Sequence, residues 1–316
     1  MISCTEFIPA YSTLFTYLEE KYGPDEVPAY WEKHFDPKRA PVYSFLSKEG
    51  LHGCWSYWTG TLNEEAADFT MYLNEKRGFF YNVMHWCPSK GRLLKLKEEV
   101  GVEPYHGYCL HCDHYRASAE ACGLKYIYNF SGTDKAACSM LIYDPNIFDG
   151  RIIIDNDTLI MDRKASDNEY FHKAFHNSLN KGITYLAETY GEGDVREYLA
   201  KFTKDFYWPV AKAAKEKGLT AIAEKIRSTY AAEHAEDAVE LRLGENELAV
   251  TVHYCPAEKY LRAAGFEIAS AYYLSTQTVM QTLAEMCGFD FSMDHYDPAT
   301  GGAKYRFIQK KEVSLL

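Results

Sequence analysis

Tyr17-Leu18-Glu19-Glu20-Lys21-Tyr22-Gly23 recurs 168 residues later as Tyr185-Leu186-Ala187-Glu188-Thr189-Tyr190-Gly191. At the same spacing Phe7 meets Phe175, Val27 meets Val195, Tyr30 meets Tyr198, and Gly50-Leu51 meets Gly218-Leu219. The most informative pair is His85-Trp86-Cys87-Pro88 with His253-Tyr254-Cys255-Pro256. One offset held over about 80 residues marks an internal repeat, since chance supplies roughly one identity in 15–20 positions. Cys122-Gly123 meets Cys287-Gly288 at an offset of 165, so copy two is three residues shorter between these landmarks.

Both copies read alike. Phe7, Tyr11, Leu14, Phe15, Leu18 and Tyr22 form the apolar stripe of a helix that Gly23 stops. Phe175, Leu179, Ile183, Leu186 and Tyr190 repeat the stripe up to Gly191. Helical patterns follow at 26–35, 38–50 and 57–66, and at 194–205, 208–217 and 219–238 in copy two. The period then changes to that of strands. Phe69 to Leu73 and Phe79 to Trp86 flank a hairpin-length turn ending in Gly78. Helices are expected at 90–99 and 106–121, then a hairpin pairing 124–130 with 136–143. Phe289–Tyr296 and Lys304–Ile308 close copy two in the same way. The expected fold is α+β, a tandem duplication related by a pseudo-two-fold axis. Each half has a helical N-terminal part and then a small antiparallel sheet carrying a packed helix. The expected domains are 1–145 and 166–316. The linker, 146–165, follows the turn signal Asp144-Pro145-Asn146 and holds Asp149-Gly150 and a short Ile152-Ile153-Ile154 strand. Ser166-Asp167-Asn168-Glu169 reads as a capping box at a new helix start.

The chain of 316 residues has 34 Lys+Arg against 45 Asp+Glu, a formal net charge of −11. That balance disfavours nucleic acid and anionic membrane surfaces as partners. No run approaches the roughly 18 apolar residues of a membrane span. The start, Met1-Ile2-Ser3-Cys4-Thr5-Glu6, lacks the basic and apolar regions of a signal peptide, so a cytoplasmic location is expected. Nine cysteines cannot all pair, and in that compartment they are expected to stay reduced. Tyr, Phe and Trp make up 15% of the chain; rings on that scale fill a core, and Tyr hydroxyls also line pockets.

Chemistry concentrates in Tyr105-His106-Gly107-Tyr108-Cys109-Leu110-His111-Cys112-Asp113-His114-Tyr115-Arg116. On a helix over 106–121, Cys109, Cys112, Asp113 and Arg116 share a face, with His111, His114 and Ser118 on another. Copy two has Tyr273-Leu274-Ser275-Thr276-Gln277-Thr278-Val279-Met280 there, so any site belongs to copy one. Several readings stand side by side: a thiol–carboxylate pair for nucleophilic or acid/base work, zinc on Cys109/Cys112 completed by Cys87, His85 or His111, a redox CxxC, and buried cysteines beside solvated histidines. His85 and Cys87 lie at a strand exit and read equally as site or scaffold. His172 and His176, four apart, could hold a metal but read better as a satisfied or solvated pair. No Gly-rich phosphate loop, GxSxG elbow, HExxH or EF-hand loop occurs.

Cys87-Pro88, Tyr108-Cys109 with Asp113 four residues after Cys109, and Gly132 before Cys138 resemble the L-2-amino-thiazoline-4-carboxylic acid hydrolase family. The resemblance covers about residues 7–143, with a weaker echo over 171–308. Copy two departs from it, with Tyr273 or Leu274 in place of Cys109, Thr278 in place of Asp113 and Lys304 near the place of Cys138. What it implies is hydrolysis of a small cyclic C–N/C–S substrate, thiazoline- or amidine-like, at non-peptide C–N bonds in a cysteine-rich site. Cys87 or Cys109 would be the nucleophile, Asp113 the proton shuttle, and His85 or His111 the base or orienting group. Tyr108 and Arg116 would anchor a carboxylate, with Cys112 and Cys138 completing the wall. No cofactor is implied; zinc at Cys109/Cys112 is the alternative, as part of a small-ligand or zinc sensor without turnover. A third reading makes copy two an assembly surface only. The expected partner is a small molecule, with an intramolecular pseudo-dimer that leaves a homodimer open.

Overall fold

The structure, a computed structural model, describes residues 1–310. The chain divides into two compact units. One, here the Cys87 unit, comprises Leu18–Glu99 and Glu103–His172. The other, the Cys255 unit, comprises Met1–Tyr17, Val100–Val102 and the chain from Lys173 onward. Helix α1 (Phe7–Tyr22) runs through the first boundary.

The Cys87 unit begins with α2 (Glu26–His34), α3 (Pro41–Glu49) and α4 (Leu51–Glu64). Pro41 opens α3 because its fixed φ suits a first helical turn whose N–H has no partner. Gly50, at φ +58°, ends it in a conformation that side chains resist. The hairpin β1 (Asp68–Asn74) and β2 (Phe79–Trp86) follows, then α5 (Pro88–Val100), α6 (Tyr115–Ala121), β3 (Lys125–Asn129) and β4 (Cys138–Tyr143). Strand β5 (Leu159–Arg163) pairs antiparallel with β1, giving the order β3-β4-β2-β1-β5. Register places Met71 opposite Asn82 and Met84 opposite Cys138, so alternate residues of each strand face one side. On that side Phe69, Met71, Leu73, Phe80 and Met84 pack with Trp58 and Leu62 of α4. Trp58 stacks on Phe80 with ring centroids 5.5 Å apart. Truncating such a buried ring costs about 3–5 kcal/mol.

The expected strand at Ile152–Ile154 is irregular chain, and the strand lies further on, at β5. The reading of Ser166–Glu169 as a helix start also fails. Asp167 instead accepts the Lys164 N–H at 2.8 Å and closes a short 3-10 turn, and Phe171 N–H then bonds the Glu64 carbonyl.

The Cys255 unit contains α7 (Phe175–Thr189), α8 (Glu192–Lys217), α9 (Leu219–Ala231), β6 (Val239–Leu243), β7 (Glu247–Val252), α10 (Pro256–Ala263), α11 (Leu274–Cys287), β8 (Phe289–Asp297) and β9 (Gly302–Gln309). The helices expected at 194–205 and 208–217 form one helix, α8, with Pro209 inside it. Its sheet order is β6-β7-β9-β8. Taken from the opposite edge, that order matches β3-β4-β2-β1 strand for strand. The N-terminal segment supplies core to this unit: Phe7 stacks on Phe175 at 4.7 Å, and Tyr198 Oη donates to the Ala10 carbonyl at 2.9 Å. The fold is α+β, with two antiparallel sheets among the described residues. Among those residues, no helix is long and apolar enough to cross a membrane.

Candidate functional site

The segment expected as one helix over 106–121 is a 3-10 helix, Tyr108–His114, followed by α6. This changes which side chains align. With three residues per turn, positions i and i+3 eclipse, so Cys109 and Cys112 share an edge and Asp113 turns off it. The Asp113 carboxylate takes two bonds from the Arg116 guanidinium, at 2.6 and 3.1 Å, so the two charges satisfy each other. His85 follows core-facing Met84 on β2 and therefore points to the other side of the sheet. Its exposed ring bonds the Thr70 hydroxyl at 2.8 Å, which itself donates to Asp162 at 3.0 Å.

Four cysteines and their neighbours do interact. Cys87 precedes α5 at its N-terminus, and the Lys90 N–H donates to its Sγ at 3.4 Å. Cys138, the first residue of β4, accepts from the Tyr128 hydroxyl at 3.1 Å, and Tyr128 lies within electrostatic reach of Cys112. The His111 Nδ1–H donates to the Tyr108 carbonyl. A carbonyl can only accept, so Nε2 carries the lone pair, and it lies 3.6 Å from Cys112 Sγ. Cys87, Cys112 and Cys138 lie within electrostatic reach of one another, and Cys109 within reach of Cys112 and Cys138. Burial pushes the Cys87 thiol well above its ordinary range, the Cys112 thiol up to about 12 and the Cys138 thiol up to about 11. All four side chains nevertheless stay partly exposed. Tyr108 is buried at 1% exposure.

Sequence reading missed Glu65. This residue follows α4, and burial raises its carboxyl to about 7 against the opposing pull of His111 and Arg92. Ser89, in the first turn of α5, also opposes that rise, and the Glu65 charge reaches Cys87 and Cys112. A signal was present, because Glu65 meets Glu233 at the 168-residue offset. Asn82, 4% exposed on the same sheet side as Cys138, has a side-chain oxygen with no hydrogen-bond partner.

In the Cys255 unit, Cys255 likewise precedes a helix, α10, but its thiol is sealed at 3% exposure. Gly301, at φ +68°, packs against the Cys255 and Glu258 side chains: a Cβ there would come within 2.5 Å of both Cys255 Cβ and Glu258 Oε1. Register places Ala303 opposite Val252, the place Cys138 holds opposite Met84. A pocket of about 490 Å³ in this unit is lined by Arg227, Tyr230, Glu236, Val239 and Leu241, without a cysteine or histidine.

Cys109 and Cys112 have no third His, Cys, Asp or Glu among the described residues that brings three donor atoms within 4.8 Å of one another. His172 lies outside α7, which begins at Phe175, and its ring bonds Glu64 at 2.6 Å; the His176 ring bonds Glu233 at 3.0 Å. No family model matches this chain, and no curated protein or solved structure does either.

Proposed function

We propose that the Cys87 unit hydrolyses a small cyclic C–N/C–S substrate of the thiazoline or amidine kind, with Cys87 as nucleophile and Glu65 as proton carrier. One observation carries the reading: a partly exposed thiol at a helix N-terminus lies within electrostatic reach of a carboxyl whose pKa is raised to about 7. A carboxyl near neutrality takes and returns protons with little cost in either direction. The thiol rests protonated, so attack requires Glu65 to accept its proton as the sulfur adds to the C=N carbon. The α5 N-terminus offsets the charge forming on sulfur. Breaking the ring C–S bond returns the proton from Glu65 to the departing sulfur. Water then cleaves the enzyme thioester-like adduct, leaving a carbamoyl product and the Cys87 thiol. Asn82 and the Tyr128 hydroxyl are the polar groups available to orient the substrate nitrogens. The resemblance of Cys87-Pro88, Tyr108-Cys109 and Gly132…Cys138 to the thiazoline-carboxylate hydrolases supports the same substrate class, and a reducing cytoplasm suits a thiol nucleophile.

The test is ring opening of 2-amino-thiazoline-4-carboxylate and simple cyclic amidines, followed by mass spectrometry. The wild-type chain is expected to yield the open-chain product, and Cys87→Ser to yield none. Equal rates in both proteins would remove Cys87 from the chemistry. Ligand binding without turnover by the wild type would favour the sensor reading.

A further inference from the structure

The Cys255 unit contains a second polar cluster that the proposed hydrolysis does not use. Cys4, His176 and Glu233 are buried at 0%, 1% and 2% exposure, and one donor atom from each lies within 4.8 Å of the others. We infer that these three side chains bind a zinc ion, independently of any chemistry at Cys87.

The donor set is one thiolate, one imidazole and one carboxylate. Those are the ligand types of zinc, with three protein donors leaving a fourth tetrahedral position. Zinc–ligand distances of about 2.0–2.3 Å place tetrahedral donors roughly 3.3–3.6 Å apart. His176 Nε2 and Glu233 Oε2 already stand 3.0 Å apart, so opening that edge by a few tenths of an ångström admits the metal. The carboxylate is oriented for the task. Its Oε1 accepts the Cys4 backbone N–H, which leaves Oε2 aimed at the imidazole. Outer hydrogen bonds of this kind fix ligand direction in metal sites.

Charge balance agrees: a divalent cation neutralises a buried carboxylate and a thiolate together.

The experiment uses the full chain purified without a histidine tag, dialysed against chelator and reloaded with Zn²⁺ or Co²⁺. Expected results are one zinc per chain by elemental analysis and, with cobalt, a thiolate-to-metal absorption band in the near ultraviolet. Cys4→Ser should abolish that band, and His176→Gln should weaken zinc binding at least 100-fold. Cys112→Ser should change neither, which separates this site from the Cys109/Cys112 alternative. Zinc should also raise the melting temperature of the wild type by several degrees and leave Cys4→Ser unmoved. The inference is overturned by a wild-type chain that takes up no metal, or by a cobalt band that survives Cys4→Ser or disappears with Cys112→Ser.

Discussion

Replacing Glu65 by Gln keeps the side-chain shape while removing the titrating proton. Burial lifts this carboxyl from its ordinary 4.5 to about 7. A group whose pKa is raised by folding contributes its stability fully below the unfolded value and loses it as pH rises through the folded value. The shift of about 2.5 units corresponds to about 3 kcal/mol at 1.36 kcal/mol per unit. The wild type should therefore lose about 3 kcal/mol between pH 4.5 and pH 8 that Glu65→Gln does not lose. Urea unfolding at half-unit pH steps measures both curves, and their difference isolates Glu65 from the other titrating groups. Near pH 5 the two proteins should be about equally stable, and near pH 8 the Gln variant should be the more stable. Turnover should move the other way, falling at least 100-fold in Glu65→Gln, and the wild-type transition in rate near pH 7 should vanish. Parallel stability curves from pH 5 to 8 would refute the raised carboxyl, and with it the proton carrier.

Asp113→Asn should reduce turnover less than 10-fold and cost at most about 1 kcal/mol, because Asp113 forms a half-exposed pair with Arg116; loss of turnover would return the proton carrier to Asp113. Cys255→Ser should leave turnover intact, since Cys255 is only 3% exposed, and a Cys255→Ser variant that folds but is inactive would move the site to the other unit. Lys225→Met removes the cation that pairs with Glu6 and should cost about 3 kcal/mol, read by urea unfolding at pH 7. Burial alone would raise the Glu6 carboxyl, but Lys225 and the Tyr207 hydroxyl hold it at about 2. The wild type should thus lose this contribution as pH falls from about 4.5 toward 2, and Lys225→Met should lack that acid loss.

Local periodicity was enough to read the elements that bury one face. The Phe79–Trp86 strand matches β2 residue for residue, and the stripe beginning at Phe175 marks the start of α7, because apolar spacing alone decides which side meets the core. The two sheets also share one strand order when read from opposite edges. Pattern failed where long-range bonds compete with local preference. The capping box at Ser166–Glu169 yields to the Lys164–Asp167 turn and the Phe171–Glu64 backbone bond. Pro209, a helix breaker by rule, sits inside α8, whose inner face buries Tyr198, Leu199, Phe202 and Tyr207.

The candidate site divides along the same line. Sequence alone determined that Cys87 sits where a strand gives way to a helix, since Pro88 ends the one and opens the other, and that Cys109 and Cys112 are three residues apart. Tertiary structure decided which carboxylate meets the thiols. Asp113 and Glu65 look equivalent as letters, but the 3-10 turn gives Asp113 to Arg116, while burial beside Ser89 and His111 gives Glu65 a proton near neutral pH. It also decided that Cys87 stays partly open and Cys255 is closed. A pKa and an exposure depend on everything packed around a group, and that information is not stored in its neighbours along the chain.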